Sequence, residues 1–201
     1  MKVLNLYSGL GGNRKLWTDV EVTALELDSQ VATVYERLYP DDNIIIGDAH
    51  KYLLKHYQEY DFIWASPPCQ THSSFRQNIC VRYRGTPPVY PDMKLWQEIV
   101  FLQANCDTKW VVENVKPYYP PFIKPTVELE RHLFWSNFNI PEKVFDGVKI
   151  RKAQIPQLSE YHGLNLENDR LSNKRQLLRN CVHYDLGNHI FNASRVWTNL
   201  R

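Results

Sequence analysis

A thiol stands directly behind two prolines in the segment WASPPCQTHSSF, Trp64 to Phe75. Proline fixes its own backbone torsion and has no amide to donate, so Cys69 is carried on a stiff turn. The polar run that follows, Gln70 to Ser74, is not the composition of a core. A cysteine is most often a small buried hydrophobe; the other roles open to Cys69 are metal ligand and nucleophile. A metal site needs further ligands at matched spacing. None of Cys69, Cys80, Cys106 and Cys181 forms a Cys-x-x-Cys pair, and His72 reads as a loop residue, so no metal is expected. A nucleophilic thiol needs nearby acid–base chemistry. Glu113, in VVENV, supplies a carboxyl that is costly to bury unless it has a partner or a task.

A second set of residues suits a nucleoside. Tyr7-Ser8-Gly9-Leu10-Gly11-Gly12 is a glycine turn directly after an apolar run, and glycine lets the backbone approach a ligand closely. It lacks the spacing of a phosphate-binding loop. Glu26 ends the next apolar run, where α/β folds hold a ribose diol. Asp48, in GDAH, either accepts from an adenine amino group or caps the following helix. The step from Gly12 to Glu26 is shorter than a dinucleotide fingerprint expects. S-adenosylmethionine, with a ribose, an adenine and no phosphate, fits this set.

The elements that must position these residues alternate along the chain. Strands are expected at 2–7, 21–27, 43–47, 60–66 and 109–115, with helices at 29–39, 49–57 and 92–105. Short connections between alternating strands and helices specify an α/β fold, a doubly wound and mostly parallel sheet. In such sheets ligands gather at the carboxyl ends of the strands, where every cluster named so far falls. A further strand is expected in 131–140, polar and irregular chain over 141–172, and helices at 173–182 and 187–200. The 201 residues, 43% hydrophobic and 23% charged, suit one folded domain with a sizeable core. The net charge of +2 is too small to identify a nucleic-acid partner by itself. No apolar run approaches a membrane span and no secretory segment is seen, so no membrane partner and a cytoplasmic setting are expected.

In chain order the glycine turn, the acid, GD, PPCQ, ENV and a later arginine resemble the cytosine-5 DNA methyltransferase family. The resemblance covers about the first 140 residues, and PPCQ with ENV is its most specific part. It implies the Rossmann-like methyltransferase fold and S-adenosylmethionine as methyl donor. It makes Cys69 the thiolate that attacks carbon 6 of cytosine, Glu113 the acid at ring nitrogen 3, and Arg131 the residue bracing acid and base. Tyr7, Ser8, Gly9, Leu10, Gly11, Gly12, Glu26, Leu27, Asp48 and Ala49 match cofactor-contacting segments, joined by Pro68, Leu95 and Asn188. Leu129 occupies the place of a second arginine, and Asn5 that of an aspartate before the glycine turn. A base stacked in a duplex must be flipped out to react. The segment from Gln70 to Tyr90 is then the mobile loop, with Gln70, Ser73, Arg76, Arg82 and Arg84 contacting nucleic acid; a solvated basic loop is its bland alternative.

The resemblance divides the chain into a catalytic core, 1–136, a reduced target-recognition segment, 137–180, and a C-terminal helix, 181–201. The short middle segment holds KIRKAQIPQ and NDRLSNKRQ, so specificity is expected to be relaxed or supplied by a protein partner. Duplex DNA is the expected substrate and a monomer the expected state. A compact enzyme of this kind suits a phage or mobile element shielding its DNA from restriction in a bacterial host. The rival readings are a tRNA cytosine-5 methyltransferase and a non-catalytic nucleic-acid-binding relative.

Overall fold

The computed structural model describes residues 1–145 and 152–196. Its elements are β1 (Lys2–Leu6), β2 (Glu21–Glu26), α1 (Ser29–Leu38), β3 (Asn43–Ile46), α2 (Ala49–His56), β4 (Phe62–Ala65), α3 (Lys94–Asn105), β5 (Lys109–Val115), β6 (Val127–Leu129), β7 (His132–Ser136), α4 (Ile155–His162), α5 (Lys174–Asn180) and α6 (Tyr184–Val196). The strands form one seven-stranded sheet in the order β3-β2-β1-β4-β5-β7-β6. The first five are parallel, and β7 and β6 close the far edge antiparallel. This is the doubly wound methyltransferase sheet expected from the sequence.

Alternation along each strand sends side chains to two cores. Leu4, Leu6, Ile63, Ala65 and Val112 face Leu53, Ile99 and Leu102 of α2 and α3. Val3, Phe62, Trp64, Val111 and Phe134 face Leu186, Ile190 and Phe191 of α6. A period of two places neighbouring residues on opposite faces, and burial of both faces requires the continuous apolar runs seen in the sequence. Chain order along the sheet reverses between β1 and β4, where Leu6 pairs with Ala65. A switch point of this kind opens a crevice at the strand ends. The glycine turn leaves β1 there and the Pro-Pro-Cys turn leaves β4.

The second half departs from expectation. Strand β6, three residues among prolines and lysine, is too short to show a period. Helix α4 lies inside the stretch read as irregular; Pro156 stands in its first turn and Gly163 ends it at φ 58°. Leu158, Leu164, Leu166 and Leu178 then pack with Val31 and Val34 of α1 and with Leu10 of the glycine turn. Arg37 of α1 forms an ion pair with Asp169 at 2.7 Å. Lys149 and Arg151, and the end of the helix expected over 187–200, lie outside the described residues. Among the described residues no helix is long and apolar enough to cross a membrane.

Candidate active site

A cleft of about 540 Å³ runs across the switch point, lined by both sets of residues singled out above. At one end lie Tyr7, Ser8, Gly9, Leu10, Gly12, Glu26, Leu27, Asp48 and Ala49; at the other, Pro68, Cys69, Gln70, Glu113 and Arg131.

The glycines of the turn have different reasons to be there. Gly9 sits at φ 53°, and a β-carbon on it would meet nothing within 4 Å, so it is the glycine that gives onto open space. Gly11 does not line the cleft: its β-carbon would come within 2.4 Å of Tyr39 and 2.7 Å of Tyr35, so it serves packing. Tyr7, also left-handed at φ 57°, is held by its hydroxyl, which donates to the buried Glu98 carboxylate. The same Glu98 oxygen lies 2.8 Å from His50 Nδ1.

Glu26 accepts three backbone amides, Gly9 at 3.0 Å, Leu27 at 2.8 Å and Asp28 at 2.9 Å. A carboxylate offers about four lone-pair sites, so capacity remains on the Oε2 side for one ribose hydroxyl. Asp48 does what its helix-cap reading expected: Oδ1 accepts from His50 at 3.0 Å and Lys51 at 3.4 Å. It also lines the cleft, so capping and ligand contact are compatible. These residues fit a nucleoside-bearing methyl donor: an open glycine, a carboxylate on β2 with one site left and an acid on the next strand end. Leu95 does not reach the cleft; it is buried in the core, and its neighbour Lys94 lines the wall instead. Asn188 is also away from the cleft, its Oδ1 accepting from Asn192 at 3.2 Å. The adjoining Gly187 is there for packing, since a β-carbon would fall 2.3 Å from the Asn13 carbonyl oxygen.

At the reactive end, register explains why the two motifs belong together. Ala65 pairs with Val112, so the turn after β4 and Glu113 on β5 are neighbours. Buried Asn114 donates to the Pro67 carbonyl at 2.8 Å, tying the asparagine of ENV to the Pro-Pro turn. Ser66 accepts from Trp64 Nε1 at 2.8 Å and hydrogen-bonds Glu113. Burial pushes the Glu113 carboxyl up to about 7, against the opposing pull of Ser66 and Arg131. Burial, with the Glu113 charge added, pushes the Cys69 thiol up to about 11, and Arg131 opposes it. A neutral carboxylic acid poised near neutrality can donate a proton; the thiol must lose its own before it can attack.

Arg131 is presented by the two-residue turn between β6 and β7, whose first residue, Glu130, adopts φ 54°. A left-handed glutamate costs on the order of 1 kcal/mol, and here it aims the next side chain at the cleft. Arg131 Nη2 donates to the carbonyls of Arg179 at 2.7 Å and Cys181 at 3.2 Å, at the end of α5, while its buried Nε has no partner among the described residues. Leu129 is buried in the core. Asn5 is buried too, its Oδ1 accepting from Asn13 at 2.9 Å.

Several lining residues were not singled out from sequence. Ser66 was inside the quoted motif and His132 beside Arg131. His132 Nε2 lies 3.7 Å from Glu113, and burial holds its ring neutral, so the contact is not an ion pair. Leu177, Asn180, Cys181 and Val182, at the junction of α5 and α6, carry no motif. His72 is fully buried, its Nδ1 2.6 Å from the Tyr119 hydroxyl. Among the described residues no group of His, Cys, Asp and Glu is arranged to hold a metal ion. Gln70 lines the cleft, Ser73 accepts from the Arg76 amide at 3.4 Å, Arg76 is half-buried, and Arg82 and Arg84 are exposed. Part of the segment expected as a mobile loop is a short π-helical turn, Arg76–Val81.

The fold and cleft define a Rossmann-like methyltransferase. A family model, C-5 cytosine-specific DNA methylase, matches residues 1–118, and the chain belongs to that family. The family's methyl donor is S-adenosylmethionine. No curated protein sequence matches this chain. Among solved structures it is similar to Spodoptera frugiperda DNMT2 (a triple mutant), with 26% identity over 57% of this chain and 35% of that one, TM-score 0.38. It is also similar to a candidate DNA modification methyltransferase from an E. coli prophage, with 19% identity, 60% and 33% coverage, TM-score 0.40. A third is the Entamoeba histolytica methyltransferase EhMeth, with 14% identity, 57% and 38% coverage, TM-score 0.37. This chain spans only 33–38% of the length of these three proteins.

Proposed function

We propose that the chain transfers a methyl group to carbon 5 of cytosine in DNA, through a covalent Cys69 adduct on a base turned out of its stack. The observation that carries this reading is the meeting of Cys69, Glu113 and Arg131 in one cleft with Gly9, Glu26 and Asp48. S-adenosylmethionine, when bound, supplies an electrophilic methyl group. Glu26 and Asp48 would hold its ribose and adenine, with Gly9 leaving room for its approach. Cys69, as thiolate, bonds to carbon 6 of the ring. Glu113 gives its proton to nitrogen 3, so the ring's electron pair becomes available at carbon 5 for the methyl group. A base then takes the carbon 5 proton, nitrogen 3 returns its proton to Glu113, and the Cys69–carbon 6 bond breaks to regenerate thiolate. Arg131 braces Glu113 and lowers the cost of the thiolate. Residues 137–180 are assigned as the reduced target-recognition segment.

Transfer of a labelled methyl group to DNA and to tRNA, by the natural chain and by Cys69→Ala, tests this. Label in cytosine of DNA, lost in Cys69→Ala, is the expected result. Label only in tRNA would move the substrate to RNA, and no label in either would leave a binding protein.

A further inference from the structure

Around the Cys69 loop, three stretches of chain are fastened to one another. The Asp92 amide donates to Thr71 Oγ1 at 2.9 Å, the Tyr118 amide to the His72 carbonyl at 3.0 Å, and Ser73 bridges Pro117. Beneath them His72 and Trp96 both hold the Tyr119 hydroxyl, at 2.6 and 3.3 Å. Along the same stretches are aromatic side chains that burial does not explain. Tyr90 is 95% exposed, Phe122 63% and Tyr118 38%. Phe122 is supported from below by Trp96, ring centres 5.1 Å apart, and Tyr118 by Tyr119 at 5.0 Å. Exposed rings, two of them backed by other rings, are surfaces for other flat groups.

The charge of the same stretches is one-sided. Residues 70–94 and 116–124 contain six basic residues and one acid, whereas the rest of the chain has 18 basic and 21 acidic residues; of the six, Lys116 is paired with Glu128 of β6. The modest net charge therefore conceals a local excess of basic residues in the stretches that flank Cys69 and the turn after β5, of which Lys94 lines the cleft. Basic groups interleaved with exposed rings are the signature of a surface that tracks an unpaired strand, phosphates on the cations and bases on the rings. A continuous duplex hides its base faces and would leave these rings against sugar and phosphate.

We infer that this face is a stacking platform for unpaired DNA, Tyr90, Tyr118 and Phe122 receiving bases that flank the target cytosine. The inference rests on the nucleic-acid reading above and narrows its substrate from duplex to unpaired strand. Fluorescence anisotropy with an oligonucleotide of about 16 nucleotides, unpaired or in duplex, tests it on Cys69→Ala protein, which binds without reacting. The unpaired strand is expected to bind more tightly than the duplex. Each of Tyr90→Ala, Tyr118→Ala and Phe122→Ala should weaken it about tenfold without flattening its salt dependence, and Tyr118→Phe should restore natural binding. Arg82→Gln with Arg84→Gln should instead flatten the salt slope by about 1 to 1.5. Unchanged thermal unfolding of the three alanine variants shows that the loss is local. Tighter binding of duplex, or alanine variants that bind as the natural chain does, would overturn the inference. Methyl transfer to duplex DNA could still stand in that case, whereas absence of transfer with tight, ring-dependent strand binding would remove the catalytic reading and keep the platform.

Discussion

The two ends of the cleft are built on opposite principles. At the glycine-turn end the two carboxylates are already engaged by backbone amides, Glu26 taking three and Asp48 capping α2, while the buried Ser8 hydroxyl has no partner among the described residues. That end has its shape before any ligand arrives, and preorganisation reduces the cost of binding. At the Cys69 end the groups are left wanting. Glu113 is buried with its carboxyl pushed up to about 7, Cys69 is pushed up to about 11, and Arg131 keeps an Nε with no partner among the described residues. A carboxylic acid held near neutrality is what proton transfer requires, whereas the raised thiol has still to be ionised before it can attack. The difference teaches that the carboxylates of the binding end are fixed by backbone amides while the acid of the reactive end is kept buried and protonated, on strand ends of one sheet.

The largest effect expected from breaking this contrast is at Glu113. Glu113→Gln keeps the shape but cannot donate the proton, and turnover should fall roughly 100- to 10,000-fold in methyl-transfer kinetics. The same change should flatten the pH dependence of stability. The folded carboxyl holds its proton to about pH 7 and the unfolded one only to about 4.5. Between these values the folded state binds the extra proton, so its stability falls as pH rises, by on the order of 3 kcal/mol in all. Denaturant titrations at pH 4.5 and pH 8 should show that loss in the natural chain and not in Glu113→Gln.

Arg131→Ala comes next, since it removes the bonds to the Arg179 and Cys181 carbonyls and the charge beside Glu113. Charge-assisted bonds contribute about 1.5–3 kcal/mol each, so a turnover loss should accompany a lowered unfolding midpoint, read by kinetics and calorimetry together. At the glycine-turn end, Glu26→Gln should weaken methyl-donor binding roughly 10- to 100-fold in calorimetric titration while leaving alkylation of Cys69 unchanged. The smallest effect belongs to Asp48. Asp48→Asn keeps a capping side chain and should stay within a few tenths of a kcal/mol, whereas Asp48→Ala should cost about 1 kcal/mol of stability by denaturant unfolding.

The sheet was legible because four largely buried parallel strands and the apolar edge strand β3 write continuous apolar runs into the sequence, each ending where chemistry-bearing residues begin. β5 shows this best: Lys109–Val115 runs as expected and delivers Glu113 beside the turn of Cys69. Contacts made across the fold were not legible. Nothing local predicts that Asn114 holds the Pro67 carbonyl, that α5 ends against Arg131, or that Leu177 to Val182 wall the cleft. Helix α4 was overlooked although its Pro156 and Gly163 are ordinary start and stop signals, because only Leu158 and His162 along it are buried and its periodicity is weak. The β6–β7 turn, whose left-handed Glu130 aims Arg131, is visible only as backbone geometry. Leu95 and Asn188 show the limit of carrying residues by motif: one neighbour over, Lys94 lines the cleft and Gly187 does the packing.

The account turns on Cys69 forming a bond to the base, and intact-mass spectrometry of the chain with DNA containing 5-fluorocytosine measures that bond. Fluorine at carbon 5 leaves no proton there to remove, so the adduct cannot resolve and should persist. The account predicts a species of protein plus oligonucleotide plus one methyl group, formed only with S-adenosylmethionine present and absent in Cys69→Ser. Methylation of unmodified cytosine by the natural chain with no such adduct, or an adduct that survives in Cys69→Ser, would contradict it.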